Sequence, residues 1–332
     1  MIERVRSARR GQLLLVGAVA LAVIILGLSV VINTVLFTEN VGTGEARVES
    51  PAIQEFTFEA QKGSRSLLLR LNAADRTQTL AEVNASVRGQ IGNYSDALGR
   101  SYAASGTVFV DTTYNETLRN GTRIVQGVDR NFTYPASHAG LGSNRSDWSP
   151  VVDPTEIGWL VFNVDLRNTS GDQTTVEVSG DSETLTYRLN RARGGDGADL
   201  RVSVTGPSTS ETTACESVGG RVLLDGRTGE AFLGECTFPG IETIDPPYSI
   251  SIVDGDNLAG QYDIIVNETW HSSPSRTIDA GDGGTVRPYE HCPTGGDAPC
   301  LAPVVWQGQI DLVYRSSDVD YATTRNVSVY DP

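Results

Sequence analysis

Three hydrophobic patterns follow one another along the chain. From Leu13 to Phe37 most positions are Leu, Val, Ile or Ala, and no charge falls between Gly11 and Thr38. Apolar positions then recur every three or four residues, at Leu80, Val83, Val87, Ile91, Tyr94, Leu98 and Tyr102. That spacing draws one stripe down an α-helix. Beyond Gly106 the period falls to two. Segments rich in Val, Ile, Thr and Tyr alternate with turns of Gly, Asp, Asn and Pro.

Each pattern predicts its own kind of element. A helix of about 25 residues spans roughly 38 Å, enough to cross the ~30 Å hydrocarbon core of a bilayer. The first run therefore reads as a transmembrane helix over residues 12–37. It is too long for the apolar core of a cleaved signal peptide. A polar neck with Gly42 and Gly44 follows. Ser50-Pro51 reads as a helix N-cap and first turn, opening a helix through Ile53 and Phe56, with a second attempt at Ser66–Leu71. The stripe from Leu80 to Tyr102 predicts a further helix, weakened by Gly89, Gly92 and Gly99. Its apolar face reads as a core face against the β-rich part.

Strands are expected at 107–113, 123–128, 158–167, 174–179, 184–189, 200–205, 221–224, 230–236, 248–253, 262–270, 304–314 and 325–330. No stretch alternates strand with helix, which disfavours a parallel sheet. The expected fold is α+β, with a transmembrane helix, a short helical segment, and a large antiparallel β-sandwich-like domain. The expected divisions are a leader at 1–11, the membrane helix at 12–37, neck and helices at 38–105, and the β-rich domain at 106–332. Seams are expected near Ser137–Pro154 and Asp279–Pro303, where small and turn-forming residues concentrate.

Charge sets the topology. Arg4, Arg6, Arg9 and Arg10 precede the apolar run against Glu3 alone, and arginines stay on the cytoplasmic side. Everything after Thr38 is thus expected outside the cell. The chain has 332 residues, with 26 basic and 41 acidic ones. Four of the basic and one of the acidic residues precede the run, so the remainder carries 22 against 40, a net −18. Such a surface repels nucleic acid and anionic lipid headgroups. Lys62 is the one lysine. An acidic chain that uses Arg in place of Lys suits a halophilic source, because dense salt screens repulsion among carboxylates.

The exterior assignment gives meaning to two residue sets. Cys215, Cys236, Cys292 and Cys300 are expected as two disulfides. Three connectivities are possible. The local one is favoured, Cys215 with Cys236 and Cys292 with Cys300. A two-residue hairpin turn at Asp225-Gly226 would set Cys215 opposite Cys236 and Arg221 opposite Glu230. A longer loop, Asp225–Gly229, would break that register. The second set is nine N-x-S/T sequons, at Asn84, Asn93, Asn115, Asn120, Asn131, Asn144, Asn168, Asn267 and Asn326. These are N-glycosylation candidates in a chain that faces outward.

Catalytic signals are sparse, and no enzyme activity is expected. His138, His271 and His291 are scattered. The zinc-protease, hydrolase and phosphate-loop signatures do not occur. Asp254–Asn257 and Asp279–Gly284 offer oxygens, but neither fits the twelve-residue calcium loop. No metal or cofactor is expected. Trp148, Trp159, Trp270 and Trp306 read as core or sheet-edge residues.

The segment Arg9-Arg10-Gly11-Gln12 before the apolar run resembles the class III leader of archaeal type IV prepilins and archaellins. That resemblance implies cleavage by a membrane peptidase between Gly11 and Gln12, leaving the apolar helix as the new N-terminus. The run RGQLLLVGAVALAVIILGLSVVINTVLFTENV is also similar to the start of haloarchaeal membrane-anchored proteins regarded as pilin-like. It implies a structural subunit whose helix joins a helical bundle, a leader peptidase and glycosylation machinery as partners, and possession of a membrane anchor. The chain is long for a major archaeal pilin, which points to a minor subunit. The alternative is an uncleaved single-pass surface glycoprotein that binds a partner or ligand.

Overall fold

In the computed structural model, contacts divide the chain into two units, Met1–Ser50 and Pro51–Pro332. The structure describes residues 51–74, 79–134, 143–192, 199–232, 236–269, 278–279, 285–286 and 299–330. The leader, the apolar run at 12–37 and the neck lie outside the described residues. Among the described residues, no helix is long and apolar enough to cross a membrane.

Two helices open the described part. α1 is Pro51–Ala74 and α2 is Leu80–Ser105. Where two separate attempts were expected, α1 is one continuous helix of 24 residues. Ile53, Phe56, Ala60, Ser64, Leu68 and Asn72 step by three or four and are buried, so one face runs unbroken through Gly63. Gly63 is required there. A Cβ at that position would stand 2.2 Å from the Tyr94 hydroxyl oxygen of α2. Tyr94 passes over the glycine and donates to the Glu59 carbonyl at 2.9 Å.

α2 starts on a capping box. The Thr79 backbone N–H donates to Glu82 Oε2 at 2.7 Å, and the Glu82 N–H returns a bond to Thr79 Oγ1. The two orphan amides at the helix start are thereby satisfied. The expected apolar stripe is found: Val83, Val87, Ile91 and Leu98 are buried, with Tyr94 and Tyr102 packed beside them. Each fully buried aliphatic side chain stabilises by about 1.5–3 kcal/mol. That packing outweighs Gly89 and Gly92, which cost roughly 1 kcal/mol each in a helix interior. Both glycines face open space.

The strands are β1 Phe109–Asn131, β2 Trp148–Thr155, β3 Ile157–Asp165, β4 Thr174–Ser179, β5 Thr184–Arg191, β6 Leu200–Thr205, β7 Ser210–Cys215 and β8 Arg221–Asp225. They continue as β9 Glu230–Ala231, β10 Tyr248–Val253, β11 Ala259–Val266, β12 Ile278–Asp279, β13 Thr285–Val286, β14 Cys300–Arg315 and β15 Asp320–Ser328. One sheet has the order β15-β14-β1-β11-β3-β8-β9, the other β13-β12-β2-β10-β4-β5-β6-β7. Every described pair is antiparallel.

Two cores result, on the two faces of the seven-stranded sheet. One face meets the second sheet through Ile124, Phe162, Val176, Leu185, Val202 and their neighbours. The other meets both helices through Val110, Ile265, Val304, Trp306 and Ile310. β1 shows the change along its length. Its first half alternates buried and open positions, while residues 121–126 are buried on both faces. The helices cover one face throughout this region, and the second sheet covers the other face only from about Gly121 on.

Several expectations need correction. β1 is one strand of 23 residues, not two short ones. Its middle stretch exposes Asn115, Glu116 and Arg119, so period-two apolarity is lost while β14 still pairs along it. The seam expected at Ser137–Pro154 contains the start of β2, and β7 was not anticipated. Four of the six β7 residues are exposed, so it carries almost no apolar signal.

The hairpin register is also different. Asp225 pairs with Glu230 and Leu224 with Ala231, so the longer loop forms. Asp225 Oδ1 accepts from the Arg227 amide at 2.8 Å and holds that loop. Arg221 therefore does not face Glu230. It pairs with Asp165 in β3, and its guanidinium forms an ion pair with Asp129.

Candidate functional site

The cysteines join different layers. Cys215 and Cys236 form a disulfide with 5.1 Å between their Cα atoms. The expected pairing holds, but the geometry behind it does not. Cys215 ends β7, the edge of the eight-stranded sheet, and Cys236 follows β9, the edge of the other. The bond therefore clasps the two sheets along one side of the sandwich. Both residues belong to the core between the sheets. Cys300, at the start of β14, is also disulfide-bonded. Cys292, expected as its partner, lies outside the described residues.

The sequons divide by local structure. Asn84 and Asn93 stand on α2, where residues two apart point to different sides. Asn84 Oδ1 accepts from Thr117 Oγ1 at 2.6 Å. Ser95, the hydroxyl of the Asn93 sequon, is buried, donating to Asp111 Oδ1 and accepting from the Thr112 amide, both at 2.7 Å. In β1, Asn115 Nδ2 donates to Gln309 Oε1. Asn120 is half-buried, and its hydroxyl partner Thr122 is 0% exposed and bonded to the Glu268 carbonyl. Asn131 is exposed with Nδ2 on the Asp256 carbonyl, and its Thr133 is buried.

Four sequons remain. Asn144 is exposed in a surface segment. Asn168 lies in the turn after β3 with Nδ2 on Asp165 Oδ2. Asn267 follows β11 and donates to Glu156 Oε2 at 2.5 Å. Asn326 is exposed on β15 and accepts from Gln309 Nε2 at 3.3 Å. Gln309 thus touches two sequon asparagines on one polar face, where Thr324 Oγ1 also donates to Asp311 Oδ1 at 2.7 Å.

The acidic stretch Asp254–Asn257 forms a tight corner. Asp254 takes the left-handed conformation, with φ 55°, and begins a short 3-10 turn. Its carbonyl accepts from Thr174 Oγ1, its amide donates to Asp147 Oδ1, and Asn257 Oδ1 accepts from Ser170. These oxygens already serve as acceptors for protein donors. Among the described residues, no three of His, Cys, Asp and Glu stand close enough to hold a metal ion. Of the second acidic stretch, residues 280–284 lie outside the described residues, as do His138, His271, His291 and Trp270. Trp148 and Trp306 are core residues, and Trp159 is half-buried against Phe232.

Among the described residues, a cleft of about 360 Å³ lies beside the disulfide-bearing edge, with Phe238, Leu185, Glu183 and Glu211 in its wall. Another, about 170 Å³, gathers Glu156, Arg227, Tyr248, Trp306 and Tyr330. Arg227 is engaged there through Nε and Nη1. It pairs with Glu242 at 2.7 Å and donates to the carbonyls of Gly158 and Tyr330.

The firmest polar assembly was not anticipated from the sequence. Arg123, 3% exposed, donates through Nε to Asp263 Oδ1 at 2.8 Å, and its Nη2 also pairs with Asp263. Its Nη1 reaches the carbonyls of Asn72 and Ala73, both at 3.0 Å, at the end of α1. A cation there satisfies orphan carbonyls at the negative end of the helix dipole. Asn72 in turn accepts from the Val305 amide at 2.9 Å and donates to the Val305 carbonyl at 2.8 Å. Its Nδ2 also donates to the Tyr330 hydroxyl. The signal that would have exposed this set is an arginine at the head of the expected strand 123–128, beside Ile124 and Val125.

The groups whose acidity clearly departs from the ordinary are tyrosines. Burial, then the Glu59 carboxylate, pushes Tyr94 up to about 12. Burial alone pushes Tyr134 up to about 12. Tyr330 is raised by burial despite the bond from Asn72. Protonated, the Tyr94 hydroxyl donates to the Glu59 carbonyl, while the Tyr330 hydroxyl accepts from Asn72 Nδ2.

A protein-family model described as a family of unknown function, DUF7261, matches residues 7–146. The comparisons with curated proteins and with solved structures each give no match.

Proposed function

We propose that the protein is a structural cell-surface subunit, pilin-like and of minor type. It is anchored by residues 12–37 and presents the sandwich outside the cell. On this reading it catalyses no reaction; its work is anchoring, assembly with other subunits through the apolar helix, and display. The observation that carries it is the clamp between α1 and the seven-stranded sheet. α1 begins where the neck ends, and its far end is fastened by Arg123 and Asn72 to β1, β11 and β14. Arg65 adds a bond from mid-helix to the Val329 carbonyl at 3.1 Å. A pull arriving at Pro51 is therefore borne by the sheet core, as a tethered display domain requires.

The sequence adds the uncharged run from Gly11 to Thr38, with arginines before it and Glu39 after it. The family match begins at residue 7 and runs through β1. It thus takes in apolar run, neck and helix pair as one stretch of similarity, in keeping with their acting together. After cleavage, the apolar helix would leave the lipid for a bundle, packing through small residues such as Gly17, Ala18 and Ala22.

The test is the N-terminus of the protein in the membrane fraction, read by peptide mass spectrometry. A chain starting at Gln12 is the expected result. A chain retaining Met1 refutes the processed, pilin-like reading and leaves the uncleaved surface glycoprotein in its place.

A further inference from the structure

We infer that, of the nine sequons, Asn326 on β15 is an acceptor of N-linked sugar in the folded protein, while Asn84, Asn93 and Asn120 are not. The inference rests on the exterior placement proposed above.

Transfer to an asparagine needs three things at once: a reachable amide nitrogen, a hydroxyl two residues on that the same enzyme groove can touch, and backbone that can be gripped. β15 offers all three. In a strand, residues two apart lie on one face. Val327 is buried toward the helices, so Asn326, exposed, and Ser328, half-buried, both stand on the opposite, polar face. β15 ends its sheet, so its outer side presents backbone donors and acceptors to an added strand. The bond from Gln309 uses Asn326 Oδ1 as acceptor and orients the amide without engaging Nδ2.

The contrasting sequons fail for definite reasons. On α2 the asparagine and its serine diverge around the helix, and Ser95 is sealed under the sheet by two hydrogen bonds. At Asn120 the hydroxyl of Thr122 is wholly buried, and Asn120 Oδ1 is itself enclosed.

The chemistry is a group transfer. A bond forms between Asn326 Nδ2 and the anomeric carbon of a sugar carried on a lipid phosphate, which is the co-reactant. The bond from that carbon to the phosphate oxygen breaks. The phosphate leaves with the electron pair, and one Nδ2 proton passes to a base of the transferring enzyme.

The experiment is glycopeptide mapping of the full chain purified from its native membrane, with N326Q, S328A and S328T beside it. Expected is a hexose-containing mass on the peptide bearing Asn326, lost in N326Q and S328A and kept in S328T. The peptides bearing Asn84, Asn93 and Asn120 should be bare. An unmodified Asn326 overturns the inference. So does sugar at any of those three, which would mean that acceptors are chosen before folding. Protease treatment of intact cells tests the exterior placement separately. A chain cleaved from outside with a bare Asn326 sinks the acceptor assignment alone.

Discussion

Replacing Asp263 by alanine would leave the Arg123 guanidinium buried without its counter-ion. The Arg123 side chain is 4% exposed, so its guanidinium has little access to water that would replace the carboxylate. Removing one partner of a buried ion pair costs about 3–5 kcal/mol. The lower end applies, because Arg123 Nη1 keeps the Asn72 and Ala73 carbonyls. For a unit of this size, about 3 kcal/mol corresponds to a melting shift of roughly 5 °C. The assay is thermal unfolding of the full chain in detergent, followed by the fluorescence of the buried Trp148 and Trp306. It should be run across a salt series. Salt screens exposed pairs and leaves a buried one nearly untouched, so the Asp263→Ala shift should persist at high salt. The control is Arg315→Ala, which removes an exposed pair with Asp320, worth under about 1 kcal/mol. Equal shifts for the two variants would refute the clamp as the main fastening of α1. A second variant, Arg123→Met with Asp263→Leu, should recover much of the loss, since apolar replacement of a buried pair is often neutral.

Gly63→Ala should push α1 from α2, because its Cβ would meet the Tyr94 hydroxyl and ring. Overpacking of this kind costs about 1–3 kcal/mol, and Tyr94→Leu in the same chain should restore the melting temperature. Opening the Cys215–Cys236 bond, which spans a sequence separation of 21, should cost about 3 kcal/mol. Comparing Cys215→Ser with Cys236→Ser in denaturant titrations checks this, since the two should shift the midpoint alike. Stability should fall above pH 10. Folded Tyr94 and Tyr134 stay protonated to about 12, whereas unfolded tyrosine ionises near 10, so the unfolded state binds fewer protons in that window. Their contribution is complete below pH 10 and disappears as pH rises through 12. Ionisation of Tyr94 and Tyr134, followed residue by residue by NMR, should therefore rise together with unfolding; their ionisation at pH 10 in the folded protein would contradict it.

The sequence by itself determined the elements whose signal is local. The stripe from Val83 to Leu98 needed only a helical period, and the antiparallel class needed only short strands without intervening helices. The Cys215–Cys236 pairing is the expected one, although the hairpin register that predicts it does not form. A compact fold made the partners meet, but across the sandwich edge and not across a turn. Tertiary structure alone decided three things. β1 runs on through Asn120-Gly121 because Gly121 lies against the Val266 carbonyl and Val304, a contact 145 and 183 residues away in sequence. β7 exists because β6 pairs with it, while most of its own side chains are polar and open and only Cys215 is buried. The sequons are identical in sequence grammar, yet they divide into edge strand, helix face and sealed hydroxyl. Grammar records two residues, whereas accessibility depends on which distant strands and helices cover them.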